Sequence, residues 1–411
     1  MKVRLILLSA AIALSAMALA GCESDGTTTN TSGTAQNNEE SPTDFSKDET
    51  GYPDIWDVLP YIEETSSFKF SYWYSTEYKG MVVTNYTSQS PKVRIPDTLE
   101  GEPVVGVDLR DCTITELIMP DTVVAFYVNT EPLEYINIPR DVEIFSLANA
   151  KNLISVYIQD GVSSIPYVDI IIGAFQNCES LTNIIFPDSI REISGGSFRY
   201  CTSLTSVVIP DGITEIKGDT FMGCTNLKDI TIPSSVCKIE SGAFRNCKSL
   251  TSVVIPDNVT SIEKSVFENC TSLSSIIMPD SIDEIKSSAF ENCTSLTNID
   301  IPPNTTHLWG SPFNGCTGLT SVTIPNGVTS LSGTFSGCTG LISVTIPNGV
   351  AEIGARTFAD CTGLTFLTIP SSVITIHDDA FENCDRLTIS CSANSTAEQY
   401  AIENNIPYVL N

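Results

Sequence analysis

Histidine is almost missing from this chain, which has two among 411 residues. Imidazole is the side chain that titrates near neutrality and the commonest metal ligand, so acid–base and zinc chemistry have little to draw on. The nucleophile elbow GxSxG, the HExxH helix, a Walker-type glycine loop and the EF-hand spacing are lacking too. These absences point away from an enzyme, and no cofactor or metal is expected. Positive charge is also scarce: 21 Lys and Arg stand against 49 Asp and Glu, a net charge of −28. Such a field repels phosphate backbones, which excludes nucleic acid as a partner.

What is present begins with an address. The opening MKVRLILLSAAIALSAMALAGC places Lys2 and Arg4 before an apolar run that closes on small residues. This is the layout of an export signal, and the run is short for a resident membrane span. Its end, Leu19-Ala20-Gly21-Cys22, resembles the bacterial lipobox, where processing lipidates the cysteine thiol and cleaves before it. Residues 1–21 are therefore the expected lipoprotein signal peptide and Cys22 the expected lipidation site. An ordinary secretory signal with a chance cysteine is the other reading. Residues 22–50 are Thr, Ser, Asn, Gly and acids, with Phe45 as the only large apolar side chain. They cannot form a core, and as a flexible coil they span roughly 30 Å. The protein is expected to be exported and lipid-anchored to the outer side of the bacterial cell membrane or cell surface.

The rest is governed by a period. Phe175, Phe198, Phe221, Phe244, Phe267, Phe290 and Phe313 are evenly spaced, and Phe335, Phe358 and Phe381 continue the series with one shorter step. A cysteine stands three positions after each, from Cys178 to Cys384. One turn reads LxxVxIPxxVxxIxxxxFxxCxx, whose length and leucine-like spacing are the signature of a leucine-rich-repeat solenoid. In the turn that holds Leu204, Val207 and Ile209, apolar spacings of three and two suit a short strand with alternate side chains in the core. Pro210 has no N–H to continue a ladder and ends the strand. Ile213 and Ile216 return the chain over the core, and Phe221 fills the far side, so that stacked phenylalanines form a spine.

Cysteines one turn apart do not give the close CxxC pairs of zinc sites. Stacking brings them to about 5 Å along the coil, within disulfide range. Equivalent side chains in a stack point in parallel, however, and pairing alternate rungs would break the regularity. The ten repeat cysteines are expected to be scaffold, small buried hydrophobes with a weak S–H donor.

Proline after the strand, then phenylalanine, then cysteine resembles the BspA-type, or treponemal-type, leucine-rich-repeat family of bacterial surface proteins. The close match runs from Phe175 to Cys384. Looser turns precede it at Val93 to Val107, Ile136 to Pro139 and Val156 to Val162. The resemblance implies an exported protein engaged in adhesion or host-protein binding. It also implies a right-handed coil with one long parallel β-sheet on its concave face. A short β cap is expected at residues 51–92, built on FKFSYWY and KGMVVTNY. Irregular repeats occupy 93–174 and regular ones 175–390. A C-terminal cap at 391–411 is expected to hold a short helix that starts at Ser395 and Thr396, followed by a small strand.

With catalysis unsupported, binding is the favoured class. The residue between the last two core positions of each strand should point outward. Along the chain this slot holds Asn137, Tyr157, Ile185, Val208, Thr231, Val254, Ile277, Asp300, Thr323, Thr345 and Thr368, with Tyr135 on the same face. Apolar members gather before Asp300, so Tyr135, Tyr157, Ile185, Val208, Val254 and Ile277 are the candidate ligand-binding residues of the concave face. An extracellular protein is the expected partner. A glycan or mucin held by Tyr135, Tyr157 and the Ser and Asn rows is the alternative, and a passive envelope scaffold is a third. One turn is irregular: in PPNTTHLWGSPF, Thr305 replaces the usual Val or Ile, and Trp309 is expected to pack over the gap or, half exposed, to anchor a partner. His307 and His377 lie in variable loop slots and read as surface variation.

Overall fold

The computed structural model describes residues 70–86, 90–110, 112–169 and 172–411. The expected signal peptide, the expected lipidation site Cys22, the expected tether and the first part of the expected N-terminal cap lie outside them. The described chain is a parallel β-solenoid in which the regular turns use the repeat in the same way. Val207 pairs with Ile230, Val253 with Ile276 and Val322 with Val344 across successive turns. These three-residue strands, such as Ser206–Val208 and Ser252–Val254, present one buried residue between two exposed ones. They stay short because proline follows. In the turns that carry it the proline carbonyl accepts the N–H of the residue three positions on, as Pro210 does from Ile213 and Pro256 from Val259, and Gln159 does the same for Val162.

The expected parallel ladder is present in segments: strand pairs in the middle of the array, then a six-stranded stretch from Asn298–Ile299 to Tyr408–Leu410. A second ladder, not anticipated, is formed by the returning segment. Glu215–Ile216 pairs with Lys238–Ile239, and Glu284–Ile285 with both Ser261–Ile262 and His307–Leu308. A third column has no strands. There the N–H of each repeat phenylalanine donates to the residue before the next phenylalanine, as Phe221 does to Ala243 at 2.9 Å. Two residues after the phenylalanine the chain adopts a left-handed conformation, at Asn177, Asn246, Asn269 and Asn292, which asparagine and glycine tolerate best. These asparagines also bond one another: Asn269 donates to Asn246 and Asn292 to Asn269 at 2.9–3.0 Å. Where Tyr200 takes the slot, the next turn has Gly223, and a Cβ there would lie 2.3 Å from the Tyr200 ring.

From Phe175 to Phe381 the rings stack with centroids 5.2–5.7 Å apart and planes within 13°, in the range of favourable offset stacking. The spine begins earlier than the FxxC marker indicates, because Phe126 stacks on Phe145 at 5.1 Å and Phe145 meets Phe175 edge-on at 5.5 Å.

The repeat cysteine has a specific task. From Cys201 to Cys384 each thiol donates to the carbonyl of the phenylalanine in the preceding turn at 3.0–3.2 Å. That carbonyl already accepts the N–H of its own turn's cysteine, so the thiol fills the second lone pair of a buried oxygen. Burial pushes the Cys224, Cys270 and Cys316 thiols up to about 12. All thirteen described cysteines are free, and Cys237 alone among them is exposed.

The ends are covered. Phe70–Ser75 and Gly80–Tyr86 form an antiparallel hairpin, and the second strand joins Glu102–Arg110 in parallel. The C-terminal helix, Thr396–Glu403, is capped by Ser395, whose hydroxyl accepts the Glu398 N–H. Tyr400 closes the aromatic spine 5.8 Å from Phe381, and Tyr408–Leu410 adds the last parallel strand.

Candidate functional site

In most of the regular turns a three-residue strand shows the same two positions to solvent, so the outward face of the first ladder is a fixed array of side chains. Val208 is 66% exposed, Val254 59% and Ile277 61%, with exposed Thr231 between the first two. Neighbouring rungs of a ladder lie about 5 Å apart, so these residues form a continuous stripe, flanked by exposed Ser206, Ser252 and Ser275. Ile185 and Tyr135 are exposed as well, although Ile185 lies in a segment that forms no strand. Tyr157, in Ser155–Ile158, is half-buried.

Asn137 departs from the expected outward row. It is buried, its amide nitrogen donates to the Met119 carbonyl at 2.8 Å, and its side-chain oxygen accepts the Met119 N–H at 2.7 Å. A polar side chain in that slot of an irregular turn is used to satisfy a neighbouring backbone, a demand that spacing alone does not reveal.

The stripe ends at Asp300, as the sequence pattern suggests. This exposed carboxylate has no ion pair among the described residues and stands in a shallow cleft of about 330 Å³, lined by Asn298, Pro303, Ser321, Thr323 and Asn326 among others. Beyond it the slot holds Thr323, Thr345 and Thr368. Two apolar residues on this side escaped the slot rule: Ile342 is 56% and Phe366 50% exposed. Phe366 opens the strand Phe366–Thr368 and shares its outward parity with Thr368. A search for exposed large side chains in the strand-opening position would have found it.

The second ladder shows a different surface. Its outward residues are Glu192, Glu215, Lys238, Ser261, Glu284, His307, Ser330, Glu352 and Thr375. Charges here are matched within and between turns. Glu215 pairs with Lys217, Lys238 with Glu240 at 3.2 Å, and Lys286 with Glu263 at 2.6 Å. The hydrogen bond from Lys286 to Glu263 raises the Lys286 ammonium above its ordinary value. Near the C-terminus His377 bonds Asp379 at 2.6 Å, and Asp379 also accepts the Arg356 N–H at 3.0 Å.

Thr305 leaves no gap. Its side chain is wholly buried, and its hydroxyl donates to the Ile282 carbonyl at 3.1 Å. Trp309 is not buried over it. The indole instead lies 51% exposed, stacked on His307 with centroids 4.9 Å apart and planes within 4°. Among the described residues there is no group of three or more His, Cys, Asp or Glu placed to hold a metal ion, and no helix is long and apolar enough to cross a membrane.

The family model described as the BspA type leucine rich repeat region matches residues 142–274 and 260–388, in six copies. Among solved structures, a leucine rich cell surface protein from Faecalibacterium prausnitzii is similar at 26% identity. That match has a TM-score of 0.50 and covers 84% of this chain and 98% of the other. A leucine-rich repeat protein from Bacteroides ovatus matches at 23% identity with a TM-score of 0.61, covering 83% of this chain and 98% of its own, and shows the same fold. No curated protein matches the chain.

Proposed function

The chain belongs to the BspA-type leucine-rich-repeat family, and from that premise we propose that it is a cell-surface binding protein whose outward strand face holds a protein partner. The observation that carries this reading is the contrast within one coil. Val208, Val254 and Ile277 expose more than half their surface in one ladder, while the equivalent positions of the other ladder carry Glu, Lys, Ser and His. Strand propensity for β-branched residues acts on both ladders. It does not by itself account for an apolar stripe confined to one. Contiguous exposed apolar patches mark interaction surfaces, with Tyr135, Tyr157 and Ile185 extending this one toward the N-terminus.

The surface address rests on the likeness to a leucine rich cell surface protein and on the lipobox at Leu19–Cys22. Lipid on Cys22 would anchor the protein outside the membrane, with the tether holding the solenoid clear of it. Metabolic labelling with a fatty-acid analogue should mark the wild type and not Cys22→Ser. Release of unlabelled wild-type protein into the medium would remove the anchor.

The binding face is tested by the triple variant Val208→Lys, Val254→Lys, Ile277→Lys against immobilised extracellular-matrix proteins and mucin. A folded variant should lose at least tenfold in capture of whichever protein the wild type holds. Equal capture would sink the stripe as the site.

A further inference from the structure

We propose that His307 and Trp309 form a second binding site, a stacking platform for the neutral pyranose ring of a glycan, on the ladder that the stripe does not use. The pair is held rigidly. The Trp309 N–H donates to the Ile285 carbonyl at 2.9 Å, and the Gly310 carbonyl accepts from the Ser287 hydroxyl at 2.8 Å. The backbone on both sides of the indole is therefore tied to the preceding turn. Gly310 sits at φ +51°, and a Cβ there would lie 2.8 Å from the Ser287 hydroxyl, so this close approach depends on glycine. His307 is oriented by its own contact, Thr306 Oγ1 to His307 Nδ1 at 2.8 Å.

The following turn leaves the indole uncovered. Leu308 to Phe313 has four residues between its ends, whereas Leu331 to Phe335 has three. The shortening falls next to Trp309 and Gly310, where exposed Ser332 stands before Gly333. With the imidazole against one face, the exposed half of the indole is its other face and its edge.

The surroundings select the ligand class. Glu284 pairs with His307 in ladder register, and Lys286 occupies the slot of Trp309 one turn earlier. Ser330 and Ser332 follow on the other side. This rim offers a carboxylate, an ammonium and two hydroxyls around a flat apolar floor, and no other exposed large apolar side chain belongs to it. A pyranose has the matching form, with one C–H face to bury and a ring of hydroxyls that both donate and accept. An apolar protein anchor would lack the apolar surround that excludes water from interface hot spots. A cation is the competing occupant, because Glu263 and Glu284 both face Lys286, and the test below separates it from a sugar. The described cation–ring contacts are Arg110 over Tyr127 and Arg199 over Tyr200, so the chain does not occupy the indole with a cation of its own.

The test is ligand-observed saturation-transfer NMR on the full chain with methyl β-galactoside, methyl β-glucoside and methyl N-acetyl-β-glucosaminide. The fluorine NMR of fluorotryptophan-labelled protein is followed in parallel. At least one glycoside should show saturable transfer, strongest at its ring C–H protons, and should shift the resonance that Trp309→Phe identifies. Trp309→Ala should reduce transfer at least tenfold and His307→Ala several-fold, with thermal unfolding showing both folded. Trp309→Phe keeps a smaller platform and should retain part of the binding. Absence of transfer from all three glycosides overturns the proposal. Equal transfer in Trp309→Ala does so too, as does a fluorine shift produced by tetramethylammonium and by none of the sugars. The triple stripe variant should bind the glycoside as the wild type does, so failure at one site leaves the other readable.

Discussion

The two ladders of this solenoid are built on the same turns and cover the same core, yet their outward rows have opposite character. On the first, proline sets a three-residue strand whose exposed slot holds Val208, Val254 and Ile277. On the second, two-residue strands hold Glu215, Lys238 and Glu284 outward, tied into pairs with Lys217, Glu240 and Lys286. Inward residues are branched aliphatics in both, Val, Ile and Leu on the first and Ile and Leu on the second. The repeat thus constrains the inside of every turn and leaves the outside to vary ladder by ladder. A difference between outward rows is therefore informative about partners in a way that the buried pattern is not.

The largest effect should come from the core that both ladders share. Phe244 lies between Phe221 and Phe267 at 5.7 and 5.6 Å, and Phe244→Ala should destabilise by about 3–5 kcal/mol in urea denaturation. Cys247→Ala is milder. It removes the thiol donor from the Phe221 carbonyl, which keeps the Cys224 N–H at 3.1 Å, and should cost about 1 kcal/mol.

Exchanging the outward rows should barely move stability. Val254→Lys and Lys238→Val are each expected within about 0.5 kcal/mol, with Val254→Lys weakening partner capture and Lys238→Val gaining none. If Lys238→Val instead acquires capture, generic apolar exposure and not the stripe's position is what matters.

The smallest effect is acid sensitivity at the C-terminal end. The Arg356 backbone N–H, and then His377, hold Asp379 below its ordinary value. A folded-state pKa below the unfolded one gives stability that is complete above the ordinary carboxylate value and is lost as pH falls through the depressed one. Asp379→Asn should therefore lower neutral stability slightly, leave stability in strong acid as it is in the wild type, and so flatten part of the loss below about pH 4.

Much of this architecture is readable from spacing because stacking repeats one decision many times. The phenylalanine spine, the strand before proline, the buried cysteines and the Ser395-capped helix all follow from residue type and period. The second ladder was harder to see, since a two-residue strand such as Glu215–Ile216 has no alternation to detect. Phe126 and Phe145 were missed because their turns lack the cysteine three positions on. Of the candidate binding residues, Val208, Val254 and Ile277 stand out to solvent as the slot rule requires. The rule fails where the turn is irregular, as at Asn137, which serves the Met119 backbone.

By itself the sequence determined the coil and its core, since a strict period places like residues above like and burial then acts identically on every regular turn. Only the tertiary structure decided which surface residues meet. His307 reaches Trp309 because their backbone runs as a strand edge pinned to Ile285 and Ser287. Asn137 turns inward because two backbone groups of another turn lie within its reach. Such contacts depend on distances between neighbouring turns, and a linear pattern does not contain them.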